Sequence, residues 1–563
     1  MYKRQLFAAG VLLFAACLVP RLKDGGPRQV IPLAAATAAV ICGLSVGGGV
    51  WIVPMLVAGL TVLFLYRPLL EALVTIFVFA CTALFLAIPM LSVGFGRLNH
   101  LAKFEKGGEN GNLLHPLSWW QLFGIWPSGD FRTAPTHLLL THSLAVVVAL
   151  GAIFGVVIAW RRKRWEVVVA LATAVFGCLV YVERASPWVA GKSLAVSSPL
   201  VLGIGLIGVA VVIESRRQVE GGVALGVLAV IAGGVLWSNA MQYHAVLMGP
   251  SARLSELETI ANKFDGQGPA LLTEYEPYGA RHLLRGLNAE APAELRVRNI
   301  YLRNGGYAQA GVSPDIDEIR LDQVLIYPTL IIRRTGSASR PPSAYSRVWS
   351  GRYYDVWQRS AGRSQIMRHL SLGSRFQPAG VPNCAKVMDL AHLAAANHGL
   401  LATVYRPKVA IVDPLTGQIK APTQFGPYGE PRGLIHATNA YTVTPTFRVP
   451  ATGTYGVWVG GSFSSTMTVK IDGQRVGQQW NQTQWPGNFV SFGSVVLTKG
   501  SHTLVLKHSG PDWRPGTAAS QPFGLGPIVI AQGTEHRNIS YVQPSAARSL
   551  CGKTLDWIEA LHG

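Results

Sequence analysis

The sequence predicts a multi-pass α-helical membrane domain, then a small exported α/β module, then a C-terminal antiparallel β-sandwich. Three observations predict it. Long apolar runs fill residues 1–245, helix-like and strand-like segments alternate from Ser251, and short strands with turn residues take over beyond about Gly380. Composition agrees: 49% of the 563 residues are hydrophobic and only 14% charged, with a mean hydropathy of +0.30. A soluble enzyme of this length carries more charge. The expected divisions are 1–245, 246–375 and 376–563.

In the membrane region MYKRQ precedes LFAAGVLLFAACLV, short for a full span. A signal peptide also fits, and FAAC faintly matches a lipobox. The basic Arg21–Arg28 segment, which re-enters apolar sequence at once, favours a clipped transmembrane helix. MYKRQ resembles an adaptor-derived start, so further sequence is expected upstream. Val30–Val46, Val50–Tyr66, Leu69–Leu91, His137–Trp160, Val167–Val182, Leu194–Ile213 and Val223–Ala240 follow, eight crossings with the first. Connectors holding Arg21, Lys23 and Arg28, then Arg67, then Arg161–Arg164, then Arg216 and Arg217, all fall on one side. By the positive-inside rule that side is cytoplasmic. The other side receives the tryptophan-rich loop 93–136 and everything after Met241. The expected location is the plasma membrane, with the C-terminal domains exported.

The net charge of +20 excludes less than it suggests. Residues 1–245 hold 18 Lys+Arg against 9 Asp+Glu, and the remainder holds 31 against 20. No dense basic arm forms, so nucleic acid is not an expected partner. Anionic lipid and polyprenyl phosphates are. Cys17, Cys42, Cys81 and Cys178 sit in apolar runs, whereas Cys384 and Cys551 lie in the polar half without zinc-ligand spacing. In an exported domain such a pair forms one disulfide. No cofactor is evident, and a divalent metal has no signature.

Beyond Ser251, SARLSELETIANKF and PDIDEIRLDQVL have helical spacing, while ALLTEYEPYG, TLIIRR and SRVWSGRYYDVWQR suit strands. Strands are expected at Thr442–Val449, Tyr455–Val459, Thr466–Ile471, Phe489–Leu497, His502–His508 and Gly526–Ala531, with turns such as Asp472-Gly473. LCGKTLDWIEALHG is expected to be a closing helix or turn held by Cys551.

The stretch NLLHPLSWWQLFGIWPSGDFR is the strongest functional candidate. Trp119, Trp120 and Trp126 offer faces on which a sugar or headgroup stacks, and His115, Asp130 and Arg132 offer polar edges. A tryptophan-rich interfacial turn explains the same residues without chemistry. Carboxylates expected on this face are Glu105, Glu109, Asp130 and Glu183; the cations are Arg97, Lys103, Lys106, Arg132, Arg184 and Lys192. Asp130 with Arg132 suits either a general base beside a phosphate-binding cation or a loop-fixing ion pair. Lys192 suits phosphate binding or snorkelling.

GTYGVWVGGSF, TMTVKIDGQRVG and VVLTKGSHTLVLKH resemble jelly-roll carbohydrate-binding modules, through Gly453, Tyr455, Val457, Asp472, Gly473, Leu497, Gly500, His502 and Leu504. The resemblance makes Trp480 and Trp485 candidate glycan contacts. With WPSGDFR, SPWVAGKSLAVSSP, SRPPSAYSRVWSGRYYDVWQR and LCGKTLDWIE, the architecture resembles actinobacterial GT-C superfamily glycosyltransferases of the cell envelope. The resemblance implies a polyprenyl-phosphate-linked sugar donor, a cell-envelope glycan acceptor and an acidic base on the first outer loop. The chain lacks that N-terminal acidic loop. A non-catalytic scaffold holding glycan is the alternative; a transporter ranks third, since no charge sits mid-span.

Overall fold

The computed structural model describes residues 2–563 apart from 45–47, 96–109, 111–112, 114, 214–217, 277, 294–296, 310–311, 361–364, 375–378, 408, 421–438, 483–486, 520–523 and 533–537. The chain forms two compact units, Met1–Tyr243 and His244–Gly563.

The first unit is helical. Tyr2–Leu18 is followed by helices at Ile31–Leu44, Gly49–Tyr66, Leu69–Phe95, Leu138–Arg161, Trp165–Arg184, Pro187–Ile213 and Gln218–His244. Among the described residues, seven helices are long and apolar enough to cross a membrane. Two of them touch through glycine. A Cβ at Gly155 would lie 2.6 Å from the Ile204 carbonyl oxygen, and one at Gly208 would lie 2.5 Å from that of Gly151. Small residues permit this backbone approach, which replaces the hydrophobic drive that lipid removes. Elsewhere Trp51 stacks on Tyr181 at 4.8 Å and donates to Ser197 at 3.4 Å. Arg67 reaches back to the carbonyls of Leu22 and Gly25, which brings two of the basic connectors to one end of the bundle. The expected Leu194–Ile213 span instead begins at Pro187, a residue suited to a first helical turn. Lys192 therefore stands inside the helix.

In the second unit a mixed sheet orders Ala270–Leu272, Thr329–Arg333, Tyr354–Arg359 and Tyr345–Ser350, with only the first pair parallel. The helix Ser251–Lys263 buries Leu257 and Ile260 in the same core as Leu272, Ile331 and Val356. An antiparallel sandwich of jelly-roll form follows. Its larger sheet includes Phe463–Ile471 and Gly500–His508, its smaller one Gly453–Gly461, Phe489–Leu497 and Leu525–Ala531. Inward Tyr455, Val457, Val469, Leu504 and Leu506 fill the space between. The fold class read from sequence holds.

Individual elements differ from expectation. LCGKTLDWIEALHG is no helix: Leu555–Leu561 is a strand between Ile366–Ser371 and Leu401–Tyr405. All seven of its residues are buried, so no alternation betrayed the period. PDIDEIRLDQVL folds as a 3-10 turn, Ile316–Glu318, closed by a capping box from Asp315 and Glu318, and a four-residue helix, Leu321–Val324. Thr442–Val449 splits at Pro445, which cannot donate to a ladder. The helix Cys384–Ala396, capped by Asn383, and the strand Gln474–Asn481 were not anticipated. Cys384 and Cys551 are bonded, 167 residues apart in sequence.

Candidate functional site

The tryptophan loop is a built structure within the helical unit. Trp119–Phe123 form a 3-10 turn that ends at Gly124, whose φ of 76° favours glycine. Immediately after it, Ile125 is fully buried in a cluster with Val148, Val209 and Ile231. A Cβ on Gly234 would come within 2.9 Å of Ile125, so the small residue makes room for the anchor. Two hydrogen bonds fix the segment to the helix Gln218–His244: Trp126 N donates to Ser238 Oγ at 2.9 Å, and Gln242 Nε2 to the Ser128 carbonyl at 2.6 Å.

On one side of this anchor lies an aromatic ladder. Trp119 and Trp120 stack with centroids 4.2 Å apart, and Trp120 stacks on His142 at 4.4 Å. Phe123 closes the edge, 6.1 Å from each indole. Trp119 is 53% exposed, so its outer surface is open to a partner. Leu113 and Leu117 pack over Gly191, beside Lys192, whose Nζ stands 4.7 Å from the Trp188 ring centroid. His115, between those two leucines in the chain, is exposed and bonds the Pro116 carbonyl through Nδ1 at 2.8 Å.

On the other side Asp130 and Arg132 form a forked pair. Asp130 Oδ1 accepts from Arg132 N and Nε at 2.9 Å each, and Oδ2 accepts from Nη2 at 2.7 Å. Burial alone would raise the Asp130 carboxyl, but the hydrogen bonds and charge of Arg132 hold it below the usual carboxylate range. It is therefore ionised at neutral pH. Trp126 Nε1 donates to the Thr133 carbonyl at 3.0 Å, so this indole closes the loop on itself.

The structure thus places Trp119 and Trp120 in one cluster and Trp126, Asp130 and Arg132 in another. Sequence reasoning missed His142, which is four residues into a helix and reads as an ordinary span residue. It also missed Ile125, Ser238 and Gln242, whose positioning roles exist only across helices. Glu105, Glu109, Arg97, Lys103 and Lys106 lie outside the described residues. In the second unit Trp480 is 48% exposed, beside a cavity of about 230 Å³ also lined by Met248 and Tyr353; Trp485 lies outside the described residues. Among the described residues no group of three or more His, Cys, Asp or Glu side chains could hold a metal ion.

The motif residues of the sandwich have structural roles. Asp472 and Gly473, at φ 50° and 83°, make a primed hairpin turn. Asp472 Oδ2 meets His502 Nδ1 at 2.6 Å, and Tyr455 donates to the Ala451 carbonyl at 2.7 Å.

No family model matches the chain, and no curated protein matches it. Among solved structures, the arabinofuranosyltransferase AftD from Mycobacteria aligns with 96% of this chain and 51% of its own, at 11% identity and a TM-score of 0.31. The chain thus spans about half the length of that protein. A family 35 carbohydrate-binding module from Clostridium thermocellum aligns over 23% of this chain and 96% of its own, at 12% identity and a TM-score of 0.15. The GH26-CBM35 mannanase of Podospora anserina aligns over 22% of this chain and 28% of its own, at 14% identity and a TM-score of 0.16. The chain is similar in part to a membrane glycosyltransferase and in part to carbohydrate-binding modules.

Proposed function

We propose that this chain is part of a membrane glycosyltransferase of GT-C type. In this reading it uses a polyprenyl-phosphate-linked sugar to extend a cell-envelope glycan, at the plasma membrane, with the strand-rich unit exported. The observation that carries the reading is the Trp119–Trp120–His142 ladder on a loop that also presents Arg132 and Asp130, fixed to a bundle of membrane-length helices. Stacked indoles suit a sugar face, and a fixed guanidinium suits a phosphate. The Cys384–Cys551 bond supports an oxidising compartment for the strand-rich unit.

The transfer breaks the bond between the anomeric carbon and the carrier phosphate oxygen and forms one to an acceptor hydroxyl oxygen. The hydroxyl proton goes to a base, and the phosphate leaves on the carrier with its new negative charge. Asp130, kept ionised, would take the proton; Arg132 and Lys192 would hold the phosphate. Trp119, Trp120 and His115 would position the sugar, with Trp126 bracing the loop. Trp480 and Trp485 would contact the growing glycan.

One observation favours the second reading, a scaffold that binds glycan without chemistry. Both Asp130 oxygens already accept from Arg132, as in a loop-fixing pair. Asp130→Asn separates the readings in the full-length protein supplied with a polyprenyl-phosphate sugar. Loss of a general base lowers the rate about 10²–10⁴-fold. Transfer near the wild-type rate removes Asp130 from the chemistry. No transfer by the wild type across polyprenyl-phosphate pentoses and hexoses, with glycan still bound, favours the scaffold.

A further inference from the structure

The strand-rich unit contains a cleft of about 640 Å³, within the roughly 300–1,000 Å³ typical of small-molecule sites. It opens between the mixed sheet and the smaller sheet of the sandwich. The junction is fixed beneath it. Fully buried Glu274 accepts from Arg253, Arg333 and Asn488, and Arg333 donates to the Phe489 carbonyl at 3.0 Å. These bonds join the two walls of the cleft.

Among the described residues its lining is basic: it holds five arginines and one carboxylate, Asp355. Arg333 is neutralised by Glu274. Arg347 meets Asp355 over a long contact of 3.8 Å, while Arg334, which approaches the same carboxylate, also donates to the Gly351 carbonyl. Arg352 bonds the neutral amide of Gln479 at 3.2 Å. The nearby Glu256 carboxylate is engaged by the backbone N–H groups of Arg352, Tyr353 and Tyr354. Arg340 lies over the Trp357 ring at 5.1 Å.

Two indoles complete the lining. Trp357 comes from the mixed sheet and Trp458 from the sandwich. The sequence clears space for Trp458: a Cβ on Gly456 would lie 2.3 Å from its ring and one on Gly336 2.8 Å. Neither tryptophan is fully buried. Forked cations, aromatic rings and amide groups in one cleft suit a ring that has an apolar face, hydroxyls and an acidic group.

We propose that this cleft binds an anionic saccharide, its carboxylate or phosphate held by Arg347 and Arg352 and its ring against Trp357 or Trp458. The proposal is independent of the reading of the tryptophan loop. A short polynucleotide offers anionic oxygens too, but its repeating phosphates need a basic track along a surface. A bounded cleft fits a single acidic sugar better.

The test is calorimetric titration of the full-length protein in detergent with trigalacturonate, with a hexose 6-phosphate and with neutral trigalactose. We expect saturable binding of at least one acidic sugar, about tenfold or more tighter than the neutral one, weakening as salt rises. Which acidic sugar binds identifies the group as carboxylate or phosphate. The double variant Arg347→Gln/Arg352→Gln should lose about tenfold or more, while Arg448→Gln, on an exposed strand position outside the cleft, should not change affinity. Asp355→Asn should tighten binding severalfold by removing the carboxylate that Arg347 now meets, a gain that misfolding cannot produce. Equal binding of the neutral sugar, no saturable binding of either acidic one, tighter binding of a short polynucleotide, or full affinity in the double variant would overturn the proposal.

Discussion

His369 is clamped between Asp317 and Glu559, 2.8 Å from each, with all three side chains buried. Burial opposes its charge, but the hydrogen bonds to Asp317 and Glu559 outweigh that and raise it to about 10. The folded form therefore holds a proton that the unfolded chain releases near pH 6.5. The stability it supplies is complete below about pH 6.5 and is lost as pH rises through about 10. Thermal melts of the full-length protein between pH 6.5 and 10 should show the strand-rich unit weakening. In His369→Gln the melting temperature should start lower and vary less with pH. An unchanged pH slope in that variant would show that the clamp does not govern this range. Arg132 gives a second test at this scale: Arg132→Lys keeps the charge but loses the fork to Asp130. If the fork positions the loop for a phosphate, transfer should fall about tenfold or more in a single-turnover assay.

Among the elements, the pair Leu138–Arg161 and Pro187–Ile213 depends on small residues. Any larger side chain at Gly208 meets the Gly151 carbonyl and Gly155 backbone at 2.5–2.9 Å. Gly208→Leu should separate these helices and lower membrane-domain stability by about 1–3 kcal/mol or more. Because Ile125 and Phe123 rest partly on the same helices, the tryptophan loop should loosen as well. Faster proteolysis near Ser128 would report it, whereas wild-type cleavage there would show that the loop is held independently. The disulfide is an element-scale staple. It joins the start of the Cys384–Ala396 helix to the turn before the final strand. Closing a 167-residue interval contributes about 4–5 kcal/mol in the chain-entropy model. Cys384→Ser/Cys551→Ser should lower the melting temperature of the strand-rich unit, most visibly for peptides protecting Leu555–Leu561 in hydrogen exchange.

At the scale of the whole molecule, the basic connectors set an expected orientation. With Arg161–Arg164 cytoplasmic, the tryptophan loop and the strand-rich unit face outward. Cysteine substitution at Ser128 and Lys163 in intact cells, with an impermeant thiol reagent, checks this. The expected pattern labels Ser128→Cys and spares Lys163→Cys. The reverse pattern would put the candidate site on the cytoplasmic side and remove an exported glycan as its acceptor.

Much of this architecture is a property of the sequence alone. Continuous apolar runs of bilayer length specify helices because a helix satisfies its own backbone in lipid, whereas the other solution, a closed barrel, uses shorter alternating strands. Alternation in GTYGVWV and TMTVKI, with Asp472-Gly473 able to take positive φ, specifies a hairpin-rich sandwich. The disulfide partners follow because the other four cysteines lie in apolar runs. Tertiary structure decided the rest. Leu555–Leu561 becomes a strand because sheet neighbours cover both its faces, which erases the periodicity that would have revealed it. His142 joins Trp120, and Asp317 joins His369 and Glu559, only when segments far apart in sequence pack together. The arginine cleft is the clearest case. Arg334, Arg347 and Arg352 read as scattered surface charges along the chain, and the pairing of strands within the mixed sheet gathers them on one wall of the cleft.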